Sequence, residues 1–320
     1  MKSTENFKCI FFNNIHGLES ENIELLLSEK YHLIISHEEK KINKFFNPHV
    51  INIVGRAQLE LGLSLKKFVW TEFDYPKEEN YELIHAWFLR TSTIISNAFW
   101  IVKDNSIRFN TGHLSYFDDK SITVKSNTTH SQYSNCLGKK NITNFNNNEI
   151  IEALNYFDFL FGITLNKENG ELDHTSAEAN RINRAYYYID LARKSYDIGT
   201  KVSLHCSAFE CLFSVDNIEL SHRLSETVAY FLGENFERRK EIYKQMKEIY
   251  GLRSTVTHGS GIKKELFKNN EENLNRIGIN CDSLMRNCIR KIIANENLKK
   301  LYFENNTENI RVYFIDLVLS

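Results

Sequence analysis

The sequence predicts an α+β protein in which a mixed α/β N-terminal half precedes an all-α half. Short β-branched and aromatic runs bounded by turn residues dominate up to about residue 75 and return at 107–124. From residue 175 onward, apolar residues recur at helical spacing instead. At 320 residues, with 42% hydrophobic and 25% charged residues, the chain is long enough and apolar enough for two globular domains.

The N-terminal domain, residues 1–165, is expected to combine a sheet with helices. A long, largely buried helix is predicted from Tyr81 to Val102, and a short amphipathic helix from Glu149 to Phe161. Candidate strands cover residues 7–12, 31–36, 50–54, 67–73, 107–109, 114–117 and 122–124. The polar segment from Asn166 to Thr175 is the expected linker.

The second domain, residues 175–300, is expected to be a bundle of five helices. Thr175 and Glu178 have the spacing of a capping box at its start. The later helices are predicted at residues 200–215, 219–232, 237–258 and 281–294. The second of the five is apolar on nearly all sides, which is typical of the most buried member of a bundle. Residues 301–320 are expected to form a strand-like tail.

An arginine occupies an apolar position of the fourth predicted helix. Ile242, Met246 and Ile249 form one stripe, and the next position on it is Arg253. A guanidinium at a helix seam must be paired or must face a cleft, because its burial alone costs several kcal/mol. Glu210, which lies in the apolar second helix, is the natural partner.

His258 follows Arg253 by five residues, close to the end of the same helix. This separation is about 140° around an ideal helix, so the two side chains converge only if the last turn loosens. Gly259 and Gly261 are well placed to end the helix there. The same spacing recurs at Arg108–His113, in a segment that reads as strand and turn, so the helical context distinguishes the two.

Four segments of the second domain carry a resemblance: His205–Phe213, Glu219–Ser225, Glu237–Arg239 and Ile249–Gly259. With them, residues of about 175–300 resemble the ApeA-like branch of the HEPN superfamily. The resemblance implies a small helical bundle that is, in many members, a metal-independent ribonuclease of toxin, abortive-infection and antiphage systems. It implies catalytic roles for Arg253 and His258, with Ser254 as the small polar residue after the arginine and Glu210 as the polar residue of an earlier helix.

Arginine and histidine suit RNA cleavage without a metal. Histidine side chains titrate near pH 6.5 and can move the proton of a 2′-hydroxyl, while a guanidinium fork matches phosphate oxygens. We therefore expect an antiphage endoribonuclease effector, with the N-terminal domain as its sensor or regulator. The alternative is a catalytically silent HEPN module that binds RNA or protein.

Several supporting residues have two possible roles. Glu210 can orient the site or form only a structural ion pair with the arginine. Ser254 can donate to phosphate or cap a loosened turn. Tyr250 can stack on a base or pack in the core. Arg223 is a candidate RNA contact.

The charge and composition of the chain limit the partners that can be expected. The net charge is −1, and residues 201–264 carry 10 Lys and Arg against 8 Asp and Glu, so a broad basic face is not expected. RNA, with transfer RNA one candidate, is the expected substrate. We expect a homodimer through the HEPN domain, with Arg253 and His258 of both chains in one cleft, and a phage-derived or cellular trigger.

No cofactor or metal is expected. The six cysteines form no CxxC pair, and no Gly-rich phosphate loop or HExxH motif occurs. No signal peptide or membrane span is evident in the sequence. The expected location is therefore the cytoplasm, with reduced thiols.

Overall fold

The computed structural model is mixed α+β, as predicted, and combines an antiparallel sheet with a helical region. The residues it describes are 6–21, 24–28, 32–77, 79–117, 121–128, 132–166, 170–171, 174–176, 178–215, 220–259, 261–262, 268–304 and 306–319. No helix within these ranges is long and apolar enough to cross a membrane.

The chain divides into two compact units that are interleaved in sequence. The first contains Met1–Phe99, Ser106–Gln132 and Asn141–Phe157, and the second contains Trp100–Asn105, Tyr133–Lys140 and Asp158–Ser320. The boundary expected near residue 165 differs from this division, because two short segments from the first half of the sequence belong to the second unit.

The first unit is built on a six-stranded antiparallel sheet with the order β3-β4-β5-β1-β6-β7. Its elements in chain order are β1 (Asn6–His16), β2 (Leu18–Ser20), β3 (Leu25–Ser28), β4 (Leu33–Ser36), α1 (Glu39–Phe45), α2 (Pro48–Val54), α3 (Arg56–Leu65), β5 (Phe68–Pro76), α4 (Tyr81–Val102), β6 (Arg108–Phe117), β7 (Ile122–Thr128), β8 (Thr143–Phe145) and α5 (Asn147–Thr164). The last residues of α4 and α5 belong to the second unit. The short strands β2 and β8 pair in parallel.

The central strand β1 is buried on both faces because its side chains alternate between two apolar layers. The ring of Phe12 lies 5.2 Å from Phe45 and 5.0 Å from Phe68, within the core that also contains α1 and α2. The neighbouring ring of Phe11 stacks at 4.7 Å on Phe88 of α4. Helices therefore cover both faces of the sheet.

Two expectations for the first unit are wrong. Residues 50–54, predicted as a strand, lie in α2, because the Asn47 side chain accepts hydrogen bonds from His49 N and Val50 N and Pro48 starts the helix. The predicted strands 107–109 and 114–117 are one continuous strand, β6. Tyr31, at the start of another predicted strand, lies outside the described residues.

The second unit is helical. After the short strand pair β9 (Leu165–Asn166) and β10 (Gly170–Glu171), its helices are α6 (Arg181–Lys194), α7 (Ile198–Phe213), α8 (Leu220–Leu232), α9 (Phe236–Thr257), α10 (Lys268–Ala294), α11 (Glu296–Phe303) and α12 (Thr307–Leu319). Helix α7 packs against α6, α9 and α10, and α8 packs against α9 and α12. The most buried position in the bundle thus belongs to α7, as its composition predicts.

Two helix starts differ from prediction. Helix α6 begins later than expected, because the capping box is formed by Asn180 and Asn183 and not by Thr175 and Glu178. Helix α10 begins at Lys268, well before the predicted start at residue 281. Position 219, the predicted start of α8, lies outside the described residues.

The expected strand-like tail at residues 301–320 is wrong, because α11 and α12 occupy this region. The Asn306 side chain accepts hydrogen bonds from the backbone N–H groups of Glu308 and Asn309 and so caps α12. Ile310 and Phe314, four residues apart, are buried, and the Phe314 ring lies 5.8 Å from that of Phe213 in α7. Burial of one face stabilises a helix despite the β-branched composition.

Candidate functional site

The candidate site lies at the C-terminal end of α9. Asn235 caps the start of this helix by accepting from the N–H group of Arg238. The end is closed by a hydrogen bond from His258 N to the Ser254 carbonyl, at 3.1 Å, and by Gly259 with φ +67°. Glycine adopts this left-handed conformation without steric cost, so Gly259 ends the helix as the sequence predicts.

Arg253 is paired with Glu210 of α7, as expected from its seam position. Its Nη2 atom lies 3.3 Å from Glu210 Oε1, and both side chains are about one-quarter exposed, at 25% and 24%. The Tyr250 hydroxyl donates to the same Glu210 oxygen at 2.5 Å. The Arg253 Cζ atom lies 5.3 Å from the centroid of the Tyr250 ring, within cation–π range. We call Glu210, Tyr250 and Arg253 the seam triad.

The surroundings of the seam triad keep the Tyr250 hydroxyl and the nearby thiols of Cys206 and Cys211 protonated. Burial, and then the hydrogen bond to Glu210, raise the pKa of Tyr250 well above its usual value. Burial also raises the pKa of Cys206, one helical turn before Glu210, and raises that of Cys211 to about 11. Tyr250 therefore acts as a donor, and the two cysteines are neutral thiols at neutral pH.

Tyr250 packs in the core, with 7% exposure. Of the two roles left open for it, the structure favours core packing with a hydrogen-bonded hydroxyl over an exposed platform for a base. Sequence reasoning missed a second tyrosine near Glu210. Tyr188 of α6 has a raised pKa, caused first by burial and then by neighbouring groups that include Cys211 and Glu210. Only the contact between α6 and α7 reveals it.

His258 is exposed at the end of α9. Because the helix remains regular to Thr257, the separation of about 140° between Arg253 and His258 is retained. No hydrogen bond or ring contact joins these two side chains in the part of the chain that the structure describes. One chain therefore does not bring the two residues together. Ser254, half-buried, lies on the same side of the helix as His258.

Arg223 lies apart from α9. It is exposed on α8, at the edge of a cavity of about 450 Å³ that is lined by α8 and α12, with Leu224, Arg311 and Phe314 among its walls. Its neighbour His222 faces α9 instead, where its ring lies 5.9 Å from that of Tyr243. The structure therefore does not place Arg223 with the seam triad.

A second group of polar residues is buried deep in the bundle. Asp282 of α10 accepts hydrogen bonds from Trp100 Nε1 at 2.8 Å and from Arg286 Nε at 2.9 Å. His205 Nε2 lies 4.0 Å from the same carboxylate. Burial lowers the pKa of His205 to about 4, so this histidine is neutral. Trp100, His205 and Asp282 are buried, and the Asp282 carboxylate is held by Trp100 and Arg286.

Among the described residues, no group of three or more His, Cys, Asp or Glu side chains lies close enough to hold a metal ion. Comparison with known proteins finds no matching family model, no similar curated protein and no similar solved structure.

Proposed function

We propose that this protein is a HEPN-type endoribonuclease that cleaves RNA without a metal, as an effector of antiphage or abortive-infection defence. The observation that carries the proposal is the arrangement at the end of α9. A guanidinium is fixed by Glu210 and stays one-quarter exposed, and an exposed imidazole ends the same helix. Transfer RNA is one candidate substrate, and the proposed location is the cytoplasm.

In the proposed reaction, a base removes the proton of a ribose 2′-hydroxyl, and the oxygen attacks the adjacent phosphorus. The bond from phosphorus to the 5′-oxygen breaks, and that oxygen receives a proton from an acid. The products are a 2′,3′-cyclic phosphate and a 5′-hydroxyl. His258 transfers protons, and Arg253 stabilises the negative charge that develops on the phosphoryl oxygens.

The position of Arg253 supports its assigned role. Glu210 and Tyr250 hold the guanidinium from one side, while part of it remains exposed. A fixed donor costs little reorganisation when charge develops on the phosphate. Glu210 and Tyr250 are therefore proposed as positioning residues, and Ser254 as a further donor on the side of His258.

A composite site in a homodimer accounts for the separation of Arg253 and His258 in one chain. A two-fold axis between helical units would set Arg253 of one protomer against His258 of the partner subunit, and would repeat the arrangement on the other side. In-line transfer benefits from groups on opposite sides of the phosphate, which one arginine and one histidine on different helix faces do not supply.

A specific observation favours the second candidate, a catalytically silent HEPN module that binds RNA or protein. Arg253 already has a carboxylate partner, and an arginine in an ion pair can serve stability alone. The two candidates differ in one measurable property, since only the first cuts RNA.

The first prediction concerns cleavage. We expect Arg253→Ala and His258→Ala each to reduce cleavage of a labelled RNA by at least about 100-fold, because each removes a group used in the transition state. Chelation of metals with EDTA should leave the wild-type rate unchanged. Matched controls are Arg56→Ala and His49→Ala, which remove exposed residues of the first unit. The proposal fails if His258→Ala keeps nearly full activity, or if EDTA abolishes cleavage and Mg²⁺ restores it.

The second prediction concerns the dimer. Mixing Arg253→Ala protein with His258→Ala protein should restore about one-quarter of the wild-type activity, because half of the dimers are mixed and each mixed dimer has one intact composite site. Light scattering should show a mass that depends on concentration. A monomer with full activity at micromolar concentration would refute the composite site, as would a stable dimer whose mixtures stay inactive after subunit exchange.

A further inference from the structure

The exposed face of α9 carries a row of basic residues. Lys240, Lys244 and Lys247 are separated by four and then three residues, so they lie on one side of the helix, and all three are exposed. The same spacing of four and then three residues continues to the end of the helix. We call the complete row the lysine stripe: Lys240, Lys244, Lys247, Gly251, Ser254 and His258.

Two of the three acidic residues of α9 are paired with arginines, and the third, Glu237, lies in the first turn of the helix. Glu241 Oε2 lies 2.6 Å from Arg238 Nη1, and Glu248 accepts two hydrogen bonds from Arg276, at 2.6 and 3.2 Å. Within the described ranges, no carboxylate lies within ion-pair distance of any of the three lysines. The segment is nearly neutral in total, but this face of α9 is positively charged.

Gly251 is an unusual residue for its position. It lies inside α9, is exposed, and has no atom within 4 Å of the place where a Cβ would be. Glycine destabilises a helix interior relative to alanine, and no packing constraint requires it here. A glycine at this position leaves the backbone bare in the middle of the lysine stripe, so a ligand can lie directly against the helix.

The rings beside the lysine stripe belong to His222 and Tyr243, which contact each other between α8 and α9. Lys247 is oriented by a hydrogen bond from its Nζ atom to Ser221 Oγ, at 3.0 Å. Basic side chains that follow a backbone, combined with aromatic or imidazole rings, are typical of surfaces that bind single-stranded nucleic acid.

We propose that the lysine stripe binds the phosphodiester backbone of a single RNA strand and leads it to His258. This inference rests on the proposed function, which it deepens by assigning a binding track for the substrate. Successive positions of the stripe are about 5 Å apart along the helix axis, so its charges meet a regular polyanion at several points. Gly251, which has no side chain, lets the RNA strand approach the helix backbone immediately before Ser254 and His258.

Binding is measured separately from cleavage with a fluorescent oligonucleotide whose ribose 2′-hydroxyls are methylated, because such a strand cannot undergo attack by the 2′-oxygen. We expect the triple variant Lys240→Gln, Lys244→Gln, Lys247→Gln to bind at least about tenfold more weakly in 0.1 M salt. Its slope of log affinity against log salt should be smaller by about 2, since each lost phosphate contact removes about 0.7.

The matched control for charge is the triple variant Lys8→Gln, Lys40→Gln, Lys300→Gln, which removes three exposed lysines elsewhere. Its affinity and salt slope should equal those of the wild type. Equal losses of affinity in both triple variants would overturn the proposal that the lysine stripe binds RNA. An unchanged affinity in the variant at Lys240, Lys244 and Lys247 would also overturn it. Competition by polyglutamate as strong as competition by RNA would also overturn it, since the surface would then be a site for acidic protein.

Gly251→Ala tests the bare backbone. It should raise the Tm by roughly 1–3 °C and still lower the affinity for the oligonucleotide several-fold. The control is Gly162→Ala in α5, which also places a Cβ in open space and should change only stability. If Gly251→Ala leaves the affinity unchanged, Gly251 does not contribute to RNA binding. Because binding needs no cleavage, the two proposals can fail separately. A protein that does not cut RNA but whose affinities follow these expectations would refute the proposed ribonuclease activity and still support RNA binding by the lysine stripe.

Discussion

The two sides of α9 differ in the way they hold charged groups. On the side that faces α7, Met246 and Ile249 are fully buried, and Arg253 at the end of the row is held by Glu210 and Tyr250. On the opposite side, the three lysines of the lysine stripe are exposed and have no carboxylate partners among the described residues. Within the described residues, one helix thus carries an arginine held by a carboxylate on one side, and lysines without a carboxylate partner, together with His258, on the other.

Because of this difference, substitutions on the buried side of α9 test stability and substitutions on the exposed side test function. Substitutions on the buried side change packing and hydrogen bonds, so they affect the free energy of unfolding whatever the protein does. Substitutions on the exposed side remove little contact within the chain, so a loss of activity there must come from a ligand. Arg253 belongs to both groups, because it is paired in the seam and still one-quarter exposed.

The largest stability difference is expected between adjacent residues of α9. Met246→Ala should lower the free energy of unfolding by about 2–5 kcal/mol, since it leaves a cavity at a fully buried position. Lys247→Ala should change it by less than about 0.5 kcal/mol. Urea unfolding followed by circular dichroism measures both. A similar loss in the two variants would show that the exposed side also packs against part of the protein.

The sequence predicts much of this fold, because the strongest signals are local. The helix at 81–102 and the α+β class follow from hydrophobic periodicity and are confirmed. The errors arise where local preference competes with tertiary packing. The C-terminal tail is rich in β-branched residues, yet it is helical because Ile310 and Phe314 are buried together. Such a contact depends on residues far away in the sequence.

The candidate site is predictable to different degrees. The pairing of Arg253 with Glu210 follows from the rule that a charge in an apolar row needs a partner, and the structure contains it. A charge summed over a segment does not reveal the lysine stripe, because the sum conceals how charges are distributed around a helix. The spacing of Lys240, Lys244 and Lys247 is a sufficient signal once the helix is predicted. The pairing of Glu248 with Arg276 of α10 required the structure.

The smallest effect tests the hydrogen bond within the seam triad. Tyr250→Phe removes only the hydroxyl that donates to Glu210, so the ring and the ion pair with Arg253 remain. We expect a loss of about 1–2 kcal/mol in the free energy of unfolding, at the lower end for a hydrogen bond to a charged group because Glu210 is partly exposed. The control is Tyr243→Phe on the exposed side of α9, whose hydroxyl has no hydrogen bond within the described ranges and whose loss should cost less than about 0.5 kcal/mol. Urea unfolding of both variants provides the comparison. Equal values would mean that Glu210 is satisfied by Arg253 and water alone, and that Tyr250 contributes to the seam only through its ring.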